Sequence, residues 1–178
     1  HEGLLHGGIP VEEAFHNGRF HTHGIDEMKP VITRGLFLDI PRARGVDVLA
    51  AGEPIETADL QAACELIGAE PEPGDAVIIR SGWGRHFDGD HDAYLGQVHG
   101  VPGPTASAAQ WLADRKIVVT GADSTAYEHI PAGKGHSVLP AHKVLLVDAG
   151  INIIEHMNLE EAGKRNLGAF LFFLAPLK

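Results

Sequence analysis

The feature that most constrains this chain is an alternation: short, apolar, β-branched runs recur between stretches whose apolar residues fall at helical spacing. Val31–Ile40 (VITRGLFLDI), bounded by Pro30 and Pro41, reads as a strand. Thr57–Ile67 reads as an amphipathic helix, with Thr57 as N-cap, Asp59 in the first turn, Leu60, Ala63, Cys64 and Ile67 on one face and Gly68 as the stop. After the turn Pro73-Gly74-Asp75, Ala76–Arg80 (AVIIR) is an unbroken apolar strand of the buried type. The pattern then repeats. A helix is predicted over Thr105–Arg115, a strand over Ile117–Thr120 and a helix over Ala141–Ala149, opened by Pro140 and closed by Gly150. A strand over Ile151–Glu155, a short helix Leu159–Lys164 capped by Asn158 and a last strand Leu167–Leu174 complete it. His1–Pro30, by contrast, has no clean period and reads as irregular, with one short helix at Val11–Phe15. Strands without a polar side need cover on both faces, so the expectation is one α/β domain with no internal repeat.

Charge and cysteine content narrow the possible roles. Fourteen Lys and Arg against 24 Asp and Glu give a formal net charge of −10, which repels phosphates and argues against nucleic acid or an anionic membrane as partner. The single cysteine, Cys64, excludes a disulfide framework within the chain and fits a reducing, cytoplasmic setting. Its place on an apolar helix face suits a small buried hydrophobe better than a nucleophile. No run approaches the roughly 18 apolar residues of a membrane span. Twelve histidines in 178 residues tilt the reading toward a metal or proton-transfer site.

Four groups of residues carry candidate chemistry. His142 lies in the first turn of a helix, and Glu155 ends the next strand. A helix of about nine residues rises about 13 Å and a five-residue return strand covers a similar distance, so the two meet. An imidazole and a carboxylate together suit Zn²⁺ or Mn²⁺; by spacing alone, a surface histidine and a surface glutamate fit at least as well. Ser81-Gly82-Trp83-Gly84 follows a buried strand, where ligand crevices form in α/β sheets. Trp83 there either stacks on a flat substrate or fills the core. Asp123 closes Gly121-Ala122-Asp123 at another strand end, a position more often a cap than a catalytic group. Among the amino-terminal histidines (His1, His6, His16, His21, His23), the pair His21 and His23 would face the same way on an extended segment, although a polar loop accounts for His16, His21 and His23 as well. Gly133-Lys134-Gly135 is too short for a phosphate loop.

The order of these pieces resembles the cyclase family of metal-dependent hydrolases, which includes kynurenine formamidases and isatin hydrolases. The matching residues are Arg34-Gly35-Leu36-Phe37-Leu38-Asp39, Pro73-Gly74-Asp75 leading to Arg80-Ser81-Gly82-Trp83, Gly121-Ala122-Asp123, Leu139-Pro140-Ala141-His142 with Leu145-Leu146, and Ile153-Ile154-Glu155 followed by Leu159. The closing run from Phe170 to Leu177 fits as well. The resemblance implies a swivelling β/β/α domain, a mixed sheet flanked by helices, assembled as a homodimer or homotetramer. It also implies a divalent ion, Zn²⁺ or Mn²⁺, with His142 and Glu155 as metal ligands.

In that family the motif His-x-Gly-Thr-His-x-Asp-x-Pro-x-His carries further ligands and lies just upstream of the position where this chain opens. His1 is similar in context to its last histidine, the proton-transfer group. The chain is therefore expected to be a single cyclase-like domain over residues 1–178 that lacks an N-terminal segment and a short C-terminal tail of its relatives. The implied reaction is hydrolysis of a small amide, an N-formyl arylamine or a cyclic amide, by metal-activated water. His1 would act as catalytic shuttle, and Trp83, Ser81 and Asp123 would line the substrate site. A lyase or true cyclase on the same fold, and a non-catalytic binding module, are the alternatives.

Overall fold

Residues 3–135 and 139–176 are described by the structure, a computed structural model. In chain order its strands are β1 (Phe15–His16), β2 (Arg19–Phe20), β3 (Val31–Asp39), β4 (Pro54–Ile55), β5 (Ala76–Arg80), β6 (Gly103–Pro104), β7 (Val119–Ala122), β8 (Asn152–Ile154) and β9 (Ala169–Leu174). Its α-helices are α1 (Val11–Ala14), α2 (Ile40–Arg44), α3 (Thr57–Ile67), α4 (His91–Leu95), α5 (Ala106–Asp114), α6 (Pro140–His142) and α7 (Glu160–Lys164). A π-helix, Lys143–Asp148, continues α6.

Five strands make the main sheet in the order β8-β7-β5-β3-β9. The first four are mutually parallel, and β9 returns antiparallel along β3. This is the expected mixed sheet with flanking helices. Side chains along β5 alternate between two cores, as the two-residue period of a strand requires. Val77 and Ile79 join Leu38 on β3 and meet Leu60, Ala63 and Cys64 of α3 and Ala108, Ala109 and Leu112 of α5. Ala76 and Ile78 join Phe37 on the other side, with Val119, Leu159 and Phe172. Each fully buried leucine there contributes about 1.5–3 kcal/mol. Because the four parallel strands point the same way, Asp39, Arg80, Asp123 and Glu155 all arrive at one edge of the sheet, where α/β folds form their crevices.

Several expectations shift in detail. The α3 helix has the expected bounds but a different cap: the Asp59 carboxylate accepts the Glu56 N–H at 2.7 Å, so Glu56 rather than Thr57 is the cap. Arg44 then grips both oxygens of Asp59, at 2.7 and 2.6 Å, which ties α2 to α3. The strand expected at Ile117–Thr120 sits two residues later, and Ile117 packs instead against the helix-side core. The helix expected at Ala141–Ala149 is α-helical only through His142 and then widens into the π-helix, in which Ala149 N–H reaches Val144 O at 3.0 Å. The irregular reading of the first thirty residues overlooks a hairpin. β1 and β2 are joined by Asn17 and Gly18, both at positive φ (55° and 75°), as a two-residue turn requires. Among the described residues, no helix is long and apolar enough to cross a membrane.

Candidate functional site

Three polar side chains converge where α6 begins. Glu128, only 1% exposed, follows Tyr127, a buried residue held at φ 58°. A bulky residue in left-handed backbone is strained and persists only where its surroundings hold it. Here the Tyr127 hydroxyl lies 3.0 Å from Thr120 Oγ1 on β7. The resulting turn aims the Glu128 carboxylate at the helix start, where it accepts the N–H groups of Ala141 (3.0 Å) and His142 (2.9 Å), two donors that a helix terminus leaves without partners. The same carboxylate accepts from His142 Nδ1 at 2.6 Å. An ionised carboxylate can only accept, so Nδ1 carries a proton and Nε2 is the nitrogen turned away from Glu128. That nitrogen lies 3.2 Å from Glu155 Oε1, just past the end of β8. Side-chain exposure grades outward along the row, from 1% at Glu128 through 12% at His142 to 34% at Glu155.

Burial alone would lower the His142 pKa, but the hydrogen bonds and charges of Glu128 and Glu155 outweigh it and push the value up to about 9. Without a cation, His142 is an imidazolium clamped between two carboxylates. With one, Nε2 and Glu155 are a borderline nitrogen and a hard oxygen, the donor mixture that suits Zn²⁺ or Mn²⁺. Two ligand atoms each about 2.0–2.1 Å from one tetrahedral ion lie about 3.3 Å apart, close to the 3.2 Å found. Since 3.2 Å is equally a hydrogen-bond length, the weight rests on Glu128, which fixes the tautomer as carboxylates behind metal-bound histidines do. The arrangement fits a divalent ion, for which His142 Nε2 and Glu155 would be two donors. Among the described residues, no group of three or more His, Cys, Asp or Glu side chains is gathered to hold a metal.

The second group predicted from sequence is brought together, but inside the protein. Asp123 is completely buried and accepts from Ser81 N (2.9 Å), Ser81 Oγ (2.6 Å) and Gly82 N (2.8 Å). Burial pushes its carboxyl above the usual carboxylate range, against those donors and the nearby Arg80 charge. Trp83 is 5% exposed and donates its indole N–H to Tyr94 O at 3.1 Å. The loop after β5 is thus latched to the end of β7, and Gly82, at φ 77°, lies so close to Val48 that a side chain there would crowd it.

His1 lies outside the described residues. His16 and His21 stack on one another at 3.7 Å, and His6 Nδ1 contacts Val147 O at 2.9 Å, fastening the amino-terminal segment to the π-helix. Sequence reasoning missed Glu128, Tyr94 and His156. His156 follows Glu155 and its Nδ1 lies 2.9 Å from the Tyr94 hydroxyl. No spacing rule links a glutamate in a loop to a histidine 14 residues on; only a strained Tyr127 could have marked the turn, and φ is not legible in sequence.

With this geometry in hand, known proteins can be set beside the chain. A family model described as "Putative cyclase" matches residues 11–129. An isatin hydrolase of Roseibium aggregatum is 33% identical over 125 residues, 68% of this chain and 46% of that protein. A solved structure described as a novel cyclase superposes with a TM-score of 0.82 at 27% identity, over 95% of this chain and 57% of the other. An isatin hydrolase bound to the product analogue thioisatinate gives 0.59 at 25% identity, over 84% of this chain and 55% of the other. The chain spans about half the length of the relatives it matches.

Proposed function

This chain belongs to the cyclase family, and from that premise we propose that it is a metal-dependent hydrolase of a small amide, an N-formyl arylamine or a cyclic amide, cutting a carbon–nitrogen bond. The observation that carries the reading is the row Glu128–His142–Glu155, with a fixed Nε2 and a carboxylate oxygen 3.2 Å apart at the crevice edge of the sheet. His142 and Glu155 are the metal ligands in this reading, and Glu128 orients His142. When bound, the divalent ion, Zn²⁺ or Mn²⁺, supplies Lewis-acid polarisation of the carbonyl and makes hydroxide available near neutral pH.

The chain's own groups do the rest. Glu128 holds the Nδ1 proton, so Nε2 is the nitrogen left to face the ion once its own proton is displaced. Asp123 and Ser81 hold the loop that carries Trp83 and shape the substrate's seat from behind. His1 is the proposed shuttle that takes a proton from water and returns it to the leaving nitrogen. The reading also keeps a small molecule as partner, without nucleic acid or membrane surface, a cytoplasmic setting, and a homodimer or homotetramer as the assembly, which sedimentation would measure.

The test is hydrolysis of N-formylaniline and of isatin by the Mn²⁺- or Zn²⁺-loaded protein in ¹⁸O-labelled water. One labelled oxygen in the acid product, lost together with activity in His142→Ala, supports the reading. Turnover without label points to elimination or cyclisation instead, and no turnover of either amide contradicts the hydrolase.

A further inference from the structure

Immediately after Glu155 the backbone passes through a second strained residue, His156 at φ 57°. Its N–H donates to Ser124 O at 3.1 Å, and the next N–H, of Met157, donates to Ala122 O at 3.1 Å, so the turn is stitched to the end of β7. Ser124 itself carries the one buried side-chain oxygen without a hydrogen-bond partner among the described residues. The turn brings the His156 imidazole against Tyr94, whose hydroxyl lies 2.9 Å from Nδ1. Tyr94 is 1% exposed, and a buried hydroxyl hydrogen needs an acceptor. Among the described residues Nδ1 is the acceptor it has, so the phenol donates and the ring proton sits on Nε2.

His156 itself is exposed. His156, Tyr94, Phe87, Gly84 and Asp88 line a cavity of about 210 Å³. Phe87 stands edge-on to Tyr94, with ring centres 5.2 Å apart at 90°. Glu155, a proposed metal ligand, directly precedes His156 in the chain, and the Tyr94 hydroxyl, its pKa pushed up to about 12 first by burial, also feels the charges of Asp123 and Glu155.

We infer that His156 is a substrate-binding residue whose Nε2–H, aimed by Tyr94, donates to the carbonyl oxygen of an aryl amide seated against Phe87 and Tyr94. The inference deepens the hydrolase reading and rests on it for the choice of substrate.

Benzamide is the probe, because it offers one ring and one carbonyl and no charge. Its affinity is measured by calorimetry on the Mn²⁺-treated full chain, on His156→Asn, which tolerates positive φ, and on Tyr94→Phe. The expected result is about tenfold weaker binding in His156→Asn, the loss of one hydrogen bond, and a smaller loss in Tyr94→Phe. Thermal midpoint and Mn²⁺ affinity should stay near wild type in His156→Asn. In wild type, the ¹⁵N spectrum of the ring should show the proton on Nε2. Unchanged benzamide affinity in both variants, no benzamide binding by wild type, or a proton found on Nδ1 would each overturn the inference. Failure of the wild type to bind Mn²⁺ would strike the hydrolase reading instead and leave the benzamide comparison readable.

Discussion

Two carboxylates reach the same edge of the sheet and meet opposite fates. Asp123, at the end of β7, is enclosed, and its acceptor capacity goes to the backbone and hydroxyl of the loop it holds. Glu155, at the end of β8, is a third exposed and faces one imidazole nitrogen. A strand-end acid is therefore not a function in itself. What separates a latch from a proposed ligand is whether the fold has already used its lone pairs.

The contrast breaks first under Asp123→Ala. Three buried donors would lose their acceptor, and at about 1–3 kcal/mol each the fold should lose about 3 kcal/mol or more, read by urea denaturation. Glu155→Ala should cost well under half of that. Comparable losses would erase the distinction between the two acids.

Glu128→Gln comes next. It keeps the size of the side chain but no longer demands the Nδ1–H tautomer, so Mn²⁺ affinity should fall about 10- to 100-fold in calorimetry. An unchanged affinity would make Glu128 a helix cap and nothing more.

A smaller effect follows from pH. The folded-state pKa of His142, about 9, lies above its ordinary 6.5. The stability it gives the metal-free fold is therefore complete below about pH 6.5 and is lost as pH rises through about 9. Urea unfolding across that window should show a decline. Cation affinity should rise over the same window, because the proton and the ion compete for Nε2. Parallel slopes would contradict the competition. Smallest of all, Trp83→Phe removes the indole bond to Tyr94 O and should cost about 1 kcal/mol.

How much of this was legible beforehand follows the same division between local and distant causes. The strand over residues 76–80 and the helix over 57–67 were readable because each is an uninterrupted local pattern, apolar throughout or apolar at helical spacing. The meeting of His142 and Glu155 was readable because one helix and one strand of matched length separate them. The Asn17-Gly18 hairpin was written in the sequence and overlooked beneath the surrounding histidines and glycines. α4 was hidden in a polar stretch, its ends set by the Asp90 side chain and Gly96 rather than by any apolar period. Glu128 and the Tyr94–His156 contact, which spans 62 residues, depend on loops and tertiary turns, and no periodicity encodes those.

The central claim is that His142 and Glu155 share a cation. It is tested most directly by titrating Mn²⁺ and Zn²⁺ into the wild-type chain, His142→Ala and Glu155→Ala, following heat and thermal midpoint together. The account predicts a saturable site that raises the wild-type midpoint and weakens at least about tenfold in each variant. Equal binding by all three proteins, or no binding by the wild type, would contradict it.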